Sequence, residues 1–248
     1  MSWNGGFLIP VYNHGKTTLS LCKRLLAFSL PIIVVDDCSN EETKNYLQET
    51  AVLSPLVHLV TKKQNSGKGG AVITGFRVAH QLRLDAVFQI DADGQHDDTQ
   101  AVTFIKASEE HPGVAICGRP VFDASVPASR LKGREIGNNY LRFVTLNPHI
   151  VDAMCGFRIY PVEKVYQITR YGLWDKRMGF DIEILARLYW KGCTHLLFYP
   201  VKVIYSEGGS SNFHMVRDNI RISWVFTCLT VGMIVRLPWL LAWRRHGN

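Results

Sequence analysis

The sequence has few cysteines, and no two of them stand close enough to form a Cys-x-x-Cys pair. Six cysteines are scattered over 248 residues. A zinc site or a disulfide framework of closely spaced cysteines is therefore not expected, and the thiols are expected to stay reduced. This usage is typical of a cytosolic protein.

The sequence also lacks targeting and nucleic-acid signals. Residues 1–13, MSWNGGFLIPVYN, contain no basic region followed by a long apolar stretch, which predicts that there is no signal peptide. Long Lys/Arg blocks, zinc-finger spacing and aromatic-basic RNA motifs are missing as well, so nucleic acid is not an expected partner. We expect the main body of the protein to be cytoplasmic.

The composition is that of a globular protein with excess positive charge. Hydrophobic residues make up 47% of the chain, charged residues make up 20%, and the formal net charge is +7. These proportions argue against a disordered chain and against a polytopic membrane protein. The positive charge favours anionic partners such as phosphates or an acidic membrane surface.

Short apolar runs alternate with segments of helical period over the first 120 residues. The runs are 7–11, 31–36, 56–60, 86–91 and 114–117, and the helical segments are 17–28, 40–50, 70–84 and 99–111. The alternation predicts an α/β fold with a mostly parallel sheet covered by helices on both faces. Ligands bind beyond the carboxyl ends of such strands, where the polar segments 11–13, 36–39 and 91–96 fall.

The second half of the chain is less regular. Residues 118–139 are rich in Arg and Gly and predict a loop, while 179–192 predict a helix and 196–205 a strand. No internal repeat or low-complexity linker separates these segments. We therefore expect one domain over residues 1–213, followed by a distinct tail over 214–248.

The tail is apolar and has basic residues near its end. Residues 222–235 carry no charge and are followed by Arg236, the segment 237–243, Arg244 and Arg245. The uncharged run is shorter than the roughly 20 apolar residues that cross a bilayer. Its tryptophans and flanking arginines favour an interfacial or re-entrant membrane segment, attached peripherally at the inner face of the cytoplasmic membrane. The alternative is a terminal helix packed on the domain.

The densest polar segment is QIDADGQH, residues 89–96, directly after an apolar run. A D-x-D sequence at a strand end offers hard oxygen ligands on alternate residues, which suit Mg²⁺ or Mn²⁺ carrying substrate phosphates. The alternative is a solvated acidic turn. The convergence of three polar strand ends favours the metal. His96 and His214 are further ligand or base candidates, although a lone histidine is more often structural.

Two other segments are suited to phosphate. Residues 64–75, QNSGKGGAVITG, lack the Walker spacing, but their small residues allow close backbone approach, and Lys68 near a helix start would attract an anion. We therefore place Gly67 and Lys68 in the nucleotide site. Residues 118–142 carry Arg119, Arg130, Lys132, Arg134 and Arg142. These residues and Arg158 form either phosphate forks or a solvated basic face.

In this order, the motifs resemble family 2 glycosyltransferases of the GT-A fold, most closely the polyprenol-phosphate (dolichol-phosphate) sugar synthase type. The matching stretches span about residues 1–211 and are IPVYN (9–13), VVDDCSN (34–40), NSGKGGA (65–71), DADGQH (91–96), GR (118–119), DAMCGFRIYP (152–161) and GFDIE (179–183). The resemblance implies a nucleotide diphosphate sugar as donor and a membrane lipid as acceptor.

The resemblance also implies roles for individual residues. Pro10, Tyr12 and Asp37 would hold the nucleoside, with Asp37 at the base and Asp91 also near the ribose or phosphate. The implied metal ligands are Asp91, Asp93 and Gln95. Arg119 and Arg134 match positions that hold the acceptor phosphate, and Asn138 and Ser206 replace a usual serine and a usual arginine, respectively. Arg217 or His214 would substitute for that arginine.

The expected reaction is sugar transfer with inversion, and its acceptor stays open. A lipid phosphate needs no general base, whereas a hydroxyl acceptor needs a carboxylate, first Asp181 and second Asp152. Alternatively, Asp181 caps the helix that follows it. The processive signature Gln-x-x-Arg-Trp is absent, which argues against polysaccharide synthesis. A nucleotidyltransferase and a non-catalytic subunit are the other hypotheses, and both UDP and GDP donors remain open.

Overall fold

The computed structural model describes residues 3–122, 126, 128–177, 179–193, 195–203 and 215–246. These residues form a seven-stranded sheet in the order β3-β2-β1-β4-β6-β5-β7. The strands are β1 (Gly5–Val11), β2 (Ile32–Asp36), β3 (Val57–Thr61), β4 (Ala86–Gln89), β5 (Ala115–Val121), β6 (Arg158–Pro161) and β7 (Leu196–Lys202). All neighbouring pairs are parallel except those that β6 makes.

Helices cover both faces of the sheet. They are α1 (Gly15–Leu25), α2 (Glu41–Ala51), α3 (Lys68–Gln81), α4 (Ala101–Glu110), α5 (Ala128–Thr145), α6 (Val162–Thr169), α7 (Phe180–Trp190) and α8 (Met215–His246). The predicted α/β fold with a mostly parallel sheet and flanking helices is confirmed, and the five early strands lie where the apolar runs predict them.

The core consists of two apolar layers, because successive side chains of a strand point to opposite faces. In β1, Phe7 and Ile9 pack with α1, α2 and α4, whereas Leu8 packs with α3 and the later helices. Every residue of β1 and β2 is buried. Central strands covered on both faces therefore read in the sequence as continuous apolar runs.

Strand β6 is one of the elements that the sequence pattern did not predict. It lies between β4 and β5 and is antiparallel to both, with Arg158 opposite Gln89 and Cys117. A strand of four residues is too short to show a clear period. Its insertion brings residues 152–158 next to the carboxyl end of β4.

The predicted loop over 118–139 is wrong in most of its length. Strand β5 continues to Val121, and α5 begins at Ala128 and buries Leu141 and Val144. The arginines and glycines of this segment obscure the helical period. The strand predicted over 196–205 is seen as β7, which ends at Lys202.

The tail forms one long helix, α8, with 32 residues. Within it, residues 218–242 are long and apolar enough to cross a membrane by length and composition, with a mean hydropathy of 1.8. The prediction that this segment is too short to cross a bilayer is therefore corrected. The uncharged run of 222–235 is part of a longer apolar helix that contains Arg236. The side chains of Trp243, Arg244 and Arg245 lie outside the described part of the chain.

The two faces of α8 have different surroundings. One face packs on α5 and α7 through Val225, Leu229, Met233 and Leu240, which are buried. The opposite face exposes apolar side chains at helical spacing, namely Ile220, Trp224, Val231, Ile234, Val235 and Leu241. We call these six side chains the outer stripe. Packing on the domain and an exposed apolar surface thus occur on the same helix.

Candidate active site

The predicted convergence of polar segments is present at one edge of the sheet. Strands β1, β2 and β4 are neighbours and parallel, so Tyr12, Asp37 and Asp91 follow strands that end at the same edge. Pro10 lies within β1 and is buried, whereas Tyr12 is 38% exposed just beyond it. Aromatic and carboxylate groups therefore line the position expected for a nucleoside.

Asp37 anchors the loop before α3. Its carboxylate accepts hydrogen bonds from Lys62 Nζ at 2.5 Å, from the backbone N–H of Ser66 at 3.0 Å and from that of Gly67 at 2.6 Å. The side chain is almost fully buried. Most of its acceptor capacity is therefore used in ordering residues 65–67, and its contact with a base stays a prediction.

Gly67 and Lys68 begin helix α3. Gly67 is the residue before the helix and has a φ of 83°, a conformation that L side chains rarely adopt. Lys68 is the first helical residue. The loop thus turns sharply and directs the Lys68 side chain towards the carboxyl end of β4.

Lys68 joins two carboxylates from distant parts of the chain. Its Nζ lies 2.9 Å from Asp91 Oδ2 and 3.1 Å from Asp181 Oδ2. Burial opposes the charged form, but the carboxylates of Asp181 and Asp91 outweigh it and raise the pKa of Lys68. Burial likewise acts to raise the pKa of Asp91, but Lys68 and His96 outweigh it and hold that pKa below its ordinary value.

Asp93 and Gln95 form the turn after Asp91. The backbone N–H of Gln95 donates to Asp93 Oδ1 at 3.0 Å. Burial, and next the charge of Asp91, raise the pKa of Asp93. Two neighbouring carboxylates with one raised pKa are what a divalent cation would relieve. Within the described residues, no three His, Cys, Asp or Glu side chains converge on one metal position.

This donor set fits Mg²⁺ or Mn²⁺ bound together with a substrate. Magnesium keeps several waters and takes one or two protein carboxylates plus phosphate oxygens. Asp91 and Asp93 supply the carboxylates, and the Gln95 carbonyl is a third hard oxygen. These residues would complete such a site only with a bound diphosphate, so their role as metal ligands stays a prediction.

Two residues adjoin Asp91 and a third holds the turn after it, and sequence reasoning missed all three. The buried Gln89 amide lies 3.4 Å from Asp91 Oδ1 and 3.4 Å from the Gly156 carbonyl. A Cβ built on Gly156 would lie 2.0 Å from Asp91 Oδ2, so only glycine leaves room for the carboxylate. Thr17 Oγ1 donates to the Ala92 carbonyl at 2.6 Å and holds the turn onto α1.

His96 is packed beside the D-x-D turn, and its Nδ1 is buried without a hydrogen-bond partner among the described residues. Its ring lies 5.4 Å from that of Phe157, and its backbone forms an isolated bridge with Val203. Burial lowers the pKa of His96 despite the opposing charges of Asp91 and Asp93. A role of His96 as ligand or base therefore stays a prediction beside the structural explanation.

Asp181 does not cap helix α7. The residue before the helix is Gly179, and Asp181 lies in the first turn with its Oδ2 towards Lys68. Its Oδ1 is buried without a hydrogen-bond partner among the described residues and lies 3.9 Å from Arg158 Nη1. Asp181 thus belongs to the site, between two cations.

Arg158 lies in the core beneath Asp181 and not in a basic phosphate face. The side chain is fully buried, and Nη1 donates to Tyr160 Oη at 3.1 Å and to the Asp181 carbonyl at 3.2 Å. Burying a charged group is costly unless it is paired or hydrogen-bonded. Arg158 therefore positions the start of α7 rather than contacting a phosphate.

Arg134 is held by Asp152 at the start of the 152–158 segment. Its Nε and Nη2 lie 2.5 Å and 2.9 Å from the two Asp152 oxygens. Asp152 Oδ1 also accepts from the backbone N–H groups of Met154 and Cys155. These bonds occupy the second base candidate, Asp152. Asn138, which takes the place of a usual serine, accepts from the Ala153 N–H at 2.9 Å and is buried.

The remaining basic residues differ in their exposure and in their ion pairs. Arg119 is exposed on β5, close to its carboxyl end, and Lys132 is exposed on α5. Arg142 is paired with Glu135 at 2.7 Å on the surface of α5. The side chains of Arg130, Ser206, His214 and Arg217 lie outside the described residues. Arg119 and Arg134 thus remain the acceptor-side candidates.

The sheet and its cluster of carboxylates and Lys68 define a transferase fold of the GT-A type. The model of the family described as "Glycosyl transferase family 2" matches residues 7–169, and the chain belongs to that family. The match contains the loop at 65–68 and the D-x-D turn. The protein is therefore a glycosyltransferase, as its motifs predict.

Relatives extend the similarity to most of the chain. An undecaprenyl-phosphate mannosyltransferase of Micrococcus luteus is 28% identical over 82% of this chain and 85% of its own. A UDP-N-acetylglucosamine–dolichyl-phosphate N-acetylglucosaminyltransferase of Methanococcus voltae is 26% identical over 92% of this chain and 96% of its own. The predicted resemblance to polyprenol-phosphate sugar synthases is confirmed.

A solved structure shows the same fold. Glucosyl-3-phosphoglycerate synthase from Mycobacterium tuberculosis, in complex with Mn²⁺, UDP-glucose and phosphoglyceric acid, superposes with a TM-score of 0.65 at 13% identity. The match covers 92% of this chain and 79% of that one. At this identity the likeness supports the fold alone.

Proposed function

We propose that this protein transfers a sugar, with inversion, from a nucleotide diphosphate sugar to a polyprenyl phosphate at a membrane surface. The observation that carries the proposal is the bridge that Lys68 makes between Asp91 and Asp181. Asp181 Oδ2 accepts from an ammonium group, and Oδ1 is buried. An acceptor that is already anionic needs no base from this carboxylate. The names of the two relatives point to the same acceptor class.

On the donor side, the chain would bind a diphosphate next to β4. Asp91, Asp93 and Gln95 would hold Mg²⁺ or Mn²⁺, which would neutralise charge on the departing diphosphate. Lys68 lies at the same place and carries a positive charge of its own. Tyr12 and the loop ordered by Asp37 would border the nucleoside. Preorganised cations of this kind stabilise a charged leaving group without reorganisation.

On the acceptor side, two arginines are suited to a phosphate monoester. Arg119 is exposed on β5, where its fork is open to a ligand. Arg134 is oriented by Asp152 through Nε and Nη2, which leaves Nη1 for another acceptor. A guanidinium fork recognises phosphate bidentately. Arg119 and Arg134 would orient the acceptor oxygen for attack on the anomeric carbon.

The membrane surface would contact α8 and the neighbouring part of α5. Tyr140 of α5 stacks on Phe226 of α8 with ring centroids 3.7 Å apart. Ile136 and Phe143, one turn to either side of Tyr140, are 64% and 50% exposed. They add exposed apolar surface on α5, the helix that also carries Arg134. An apolar surface with basic groups nearby is typical of interfacial attachment, here at the cytoplasmic face.

The test is a transfer assay with membranes, Mg²⁺ or Mn²⁺ and labelled nucleotide sugars, followed by butanol partition. Label in the organic phase from one donor would support the lipid phosphate acceptor and identify the sugar. Label in a new water-soluble product would contradict that acceptor and favour a hydroxyl, with Asp181 as base. Nucleotide binding without any transfer would contradict the enzymatic proposal and favour a non-catalytic subunit.

A further inference from the structure

A cleft lies beside the loop at residues 65–67, at the N-terminal end of α8. It has a volume of about 480 Å³ and is bordered by the loop before α7, by Ser66 and by the first turns of α8. Its cationic lining residues are Lys176, Arg177 and Arg221, and Trp174, Trp224 and Ile220 supply aromatic and apolar surface. Apart from Ser66, whose loop would border the nucleoside, none of the residues that border this cleft has a role in the reaction described above.

The loop that carries two of the cations is rigidly held. The buried carboxylate of Glu183 accepts from the backbone N–H of Trp174 at 3.0 Å and of Asp175 at 3.1 Å. Asp175 in turn accepts from the backbone N–H of Arg177 at 3.1 Å and of Gly179 at 2.8 Å. Asp175, the one carboxylate among the described residues that line the cleft, is therefore engaged by the backbone of its own loop. The Asp175 carboxylate therefore does not pair with Lys176, Arg177 or Arg221.

The three cations are not paired with carboxylates in the described part of the chain. Lys176, Arg177 and Arg221 form no ion pair there, in contrast to Arg134 and Arg187, which do. Arg221 Nη1 is buried and has no hydrogen-bond partner among the described residues. A buried donor without a partner is costly, so this group is suited to an anion entering the cleft.

The rim of the cleft is apolar and faces outwards. Trp224 and Ile220 are 59% and 66% exposed and belong to the outer stripe of α8. Trp174 is 41% exposed, and the guanidinium of Arg187 lies 4.2 Å from its ring centre. If an anionic group binds in the cleft, the rest of the same molecule would therefore lie against the exposed apolar side chains of α8. This combination matches a lipid headgroup and its chain.

We propose that this cleft binds the phosphate headgroup of an anionic membrane lipid, separately from the acceptor. The proposal rests on the membrane association in the proposed function. The cleft is also joined to the donor site, since the Lys176 carbonyl accepts from Gly70 N at 3.1 Å. Arg177 packs against Gly67, where an added Cβ would come within 2.4 Å of Cγ. Lipid binding would thus hold the membrane surface next to the loop at residues 65–67.

The test is co-sedimentation of the full chain with phosphatidylcholine vesicles, with and without added phosphatidylglycerol. We expect phosphatidylglycerol to strengthen wild-type binding, and Arg177→Gln with Arg221→Gln to weaken binding to those vesicles by roughly 30-fold. Binding to neutral vesicles is expected to stay unchanged, because it depends on the outer stripe. The control is Lys23→Gln with Lys106→Gln, two exposed cations on the opposite face of the sheet, which is expected to keep the full gain.

Several results would overturn the proposal. One is that the double variant at Arg177 and Arg221 still binds more strongly to vesicles with phosphatidylglycerol, as the wild type does. Another is that the control variant loses as much of this binding as the double variant. A rise in melting temperature with soluble glycerol phosphate that is lost in the double variant, without any phosphatidylglycerol gain in vesicle binding, would assign the cleft to a free phosphate instead. Should the double variant melt early, Lys176→Gln, an exposed side chain, gives the same comparison with a smaller loss. Wild-type binding to neutral vesicles together with sugar transfer, but without a phosphatidylglycerol gain, would reject the cleft and leave the proposed function standing.

Discussion

Lys68 Nζ lies 3.1 Å from Asp181 Oδ2, although 113 residues separate them in the sequence. The same ammonium lies 2.9 Å from Asp91. One residue therefore links the loop that precedes α3, the D-x-D turn and the first turn of α7. The loop at residues 65–68 and the GFDIE motif (179–183) are far apart in the sequence. Lys68 and Asp181 nevertheless join them in one network of ion pairs.

Replacing Lys68 with Met should lower kcat/KM for sugar transfer by about 100-fold or more, because a preorganised cation at the developing charge is lost. Asp91 and Asp181 would also be left without their shared partner. Initial rates over a range of donor concentrations measure the effect. Asp181→Asn is the companion variant. With a phosphate acceptor we expect it to lose less than about tenfold, whereas loss of a general base costs about 10²- to 10⁴-fold.

Replacing Asp93 with Asn should stabilise the metal-free protein at neutral pH. Burial and the Asp91 charge raise the pKa of Asp93 above 3.8, so the folded state binds its proton more tightly than the unfolded state. Stability is therefore lost as pH rises from 3.8 through the raised pKa, and the loss is complete above it. The asparagine removes this loss.

Thermal unfolding with a chelator at several pH values measures the Asp93 effect. The advantage of Asp93→Asn should shrink as the pH is lowered towards 3.8. Added Mn²⁺ with nucleoside diphosphate should raise the melting temperature of the wild type and not of the variant. A variant that is less stable than the wild type at pH 7, or one that keeps metal-dependent turnover, would contradict the assignment.

Gly156→Ala should impair donor binding more than it impairs folding. The added methyl group would come within 2.0 Å of Asp91 Oδ2, so the carboxylate would have to move from its place beside Lys68. We expect the nucleotide to bind at least tenfold more weakly, as measured by calorimetry with Mn²⁺ present. Gly133→Ala is the matched control, since nothing lies within 4 Å of its added Cβ. Equal effects of both changes would argue against a special role for Gly156.

Substituting Val231, Ile234 and Val235 together with Gln should release the protein from neutral vesicles. These outer-stripe side chains are 57–73% exposed, so burying the exposed part of each one in the membrane contributes about 1 kcal/mol. We expect partition to fall roughly 100-fold while the melting temperature changes little. Sedimentation with vesicles measures the partition.

The opposite face of α8 provides the control for the outer stripe. Leu229 is fully buried against the domain, so Leu229→Ala should cost about 2–5 kcal/mol of unfolding free energy. Its membrane partition should stay the same, as long as the protein is folded. If Leu229→Ala released the protein and the triple variant did not, the outer stripe would not be the membrane-facing surface.

Much of the fold and part of the site could be predicted from the sequence. Strands β1 and β2 are buried throughout, and such strands appear as apolar runs whatever surrounds them. The carboxyl ends of parallel strands share one edge, so the meeting of the segments after β1, β2 and β4 follows from their order. The D-x-D turn and the family are recognisable because their residues are close in sequence.

Other features depend on contacts between distant segments. The fork of Arg134 on Asp152, the approach of Gly156 to Asp91 and the burial of Arg158 beneath Asp181 all require β6 to insert between β4 and β5. A strand of four residues has no period that announces such an insertion. Sequence reasoning therefore left Arg158 between a phosphate fork and a solvated basic face, neither of which is its place, and missed Gly156 and Gln89.

The parallel α/β sheet, the family and the place of the acidic turn are predictable from the sequence, because local hydrophobic period and short motifs encode them. Tertiary structure alone decided that Lys68 joins Asp91 to Asp181, and that α8 turns Leu229 inwards and Val235 outwards. The physical reason is that α8 is apolar on both faces. Its sequence cannot distinguish the face that packs on α5 and α7 from the face that stays exposed.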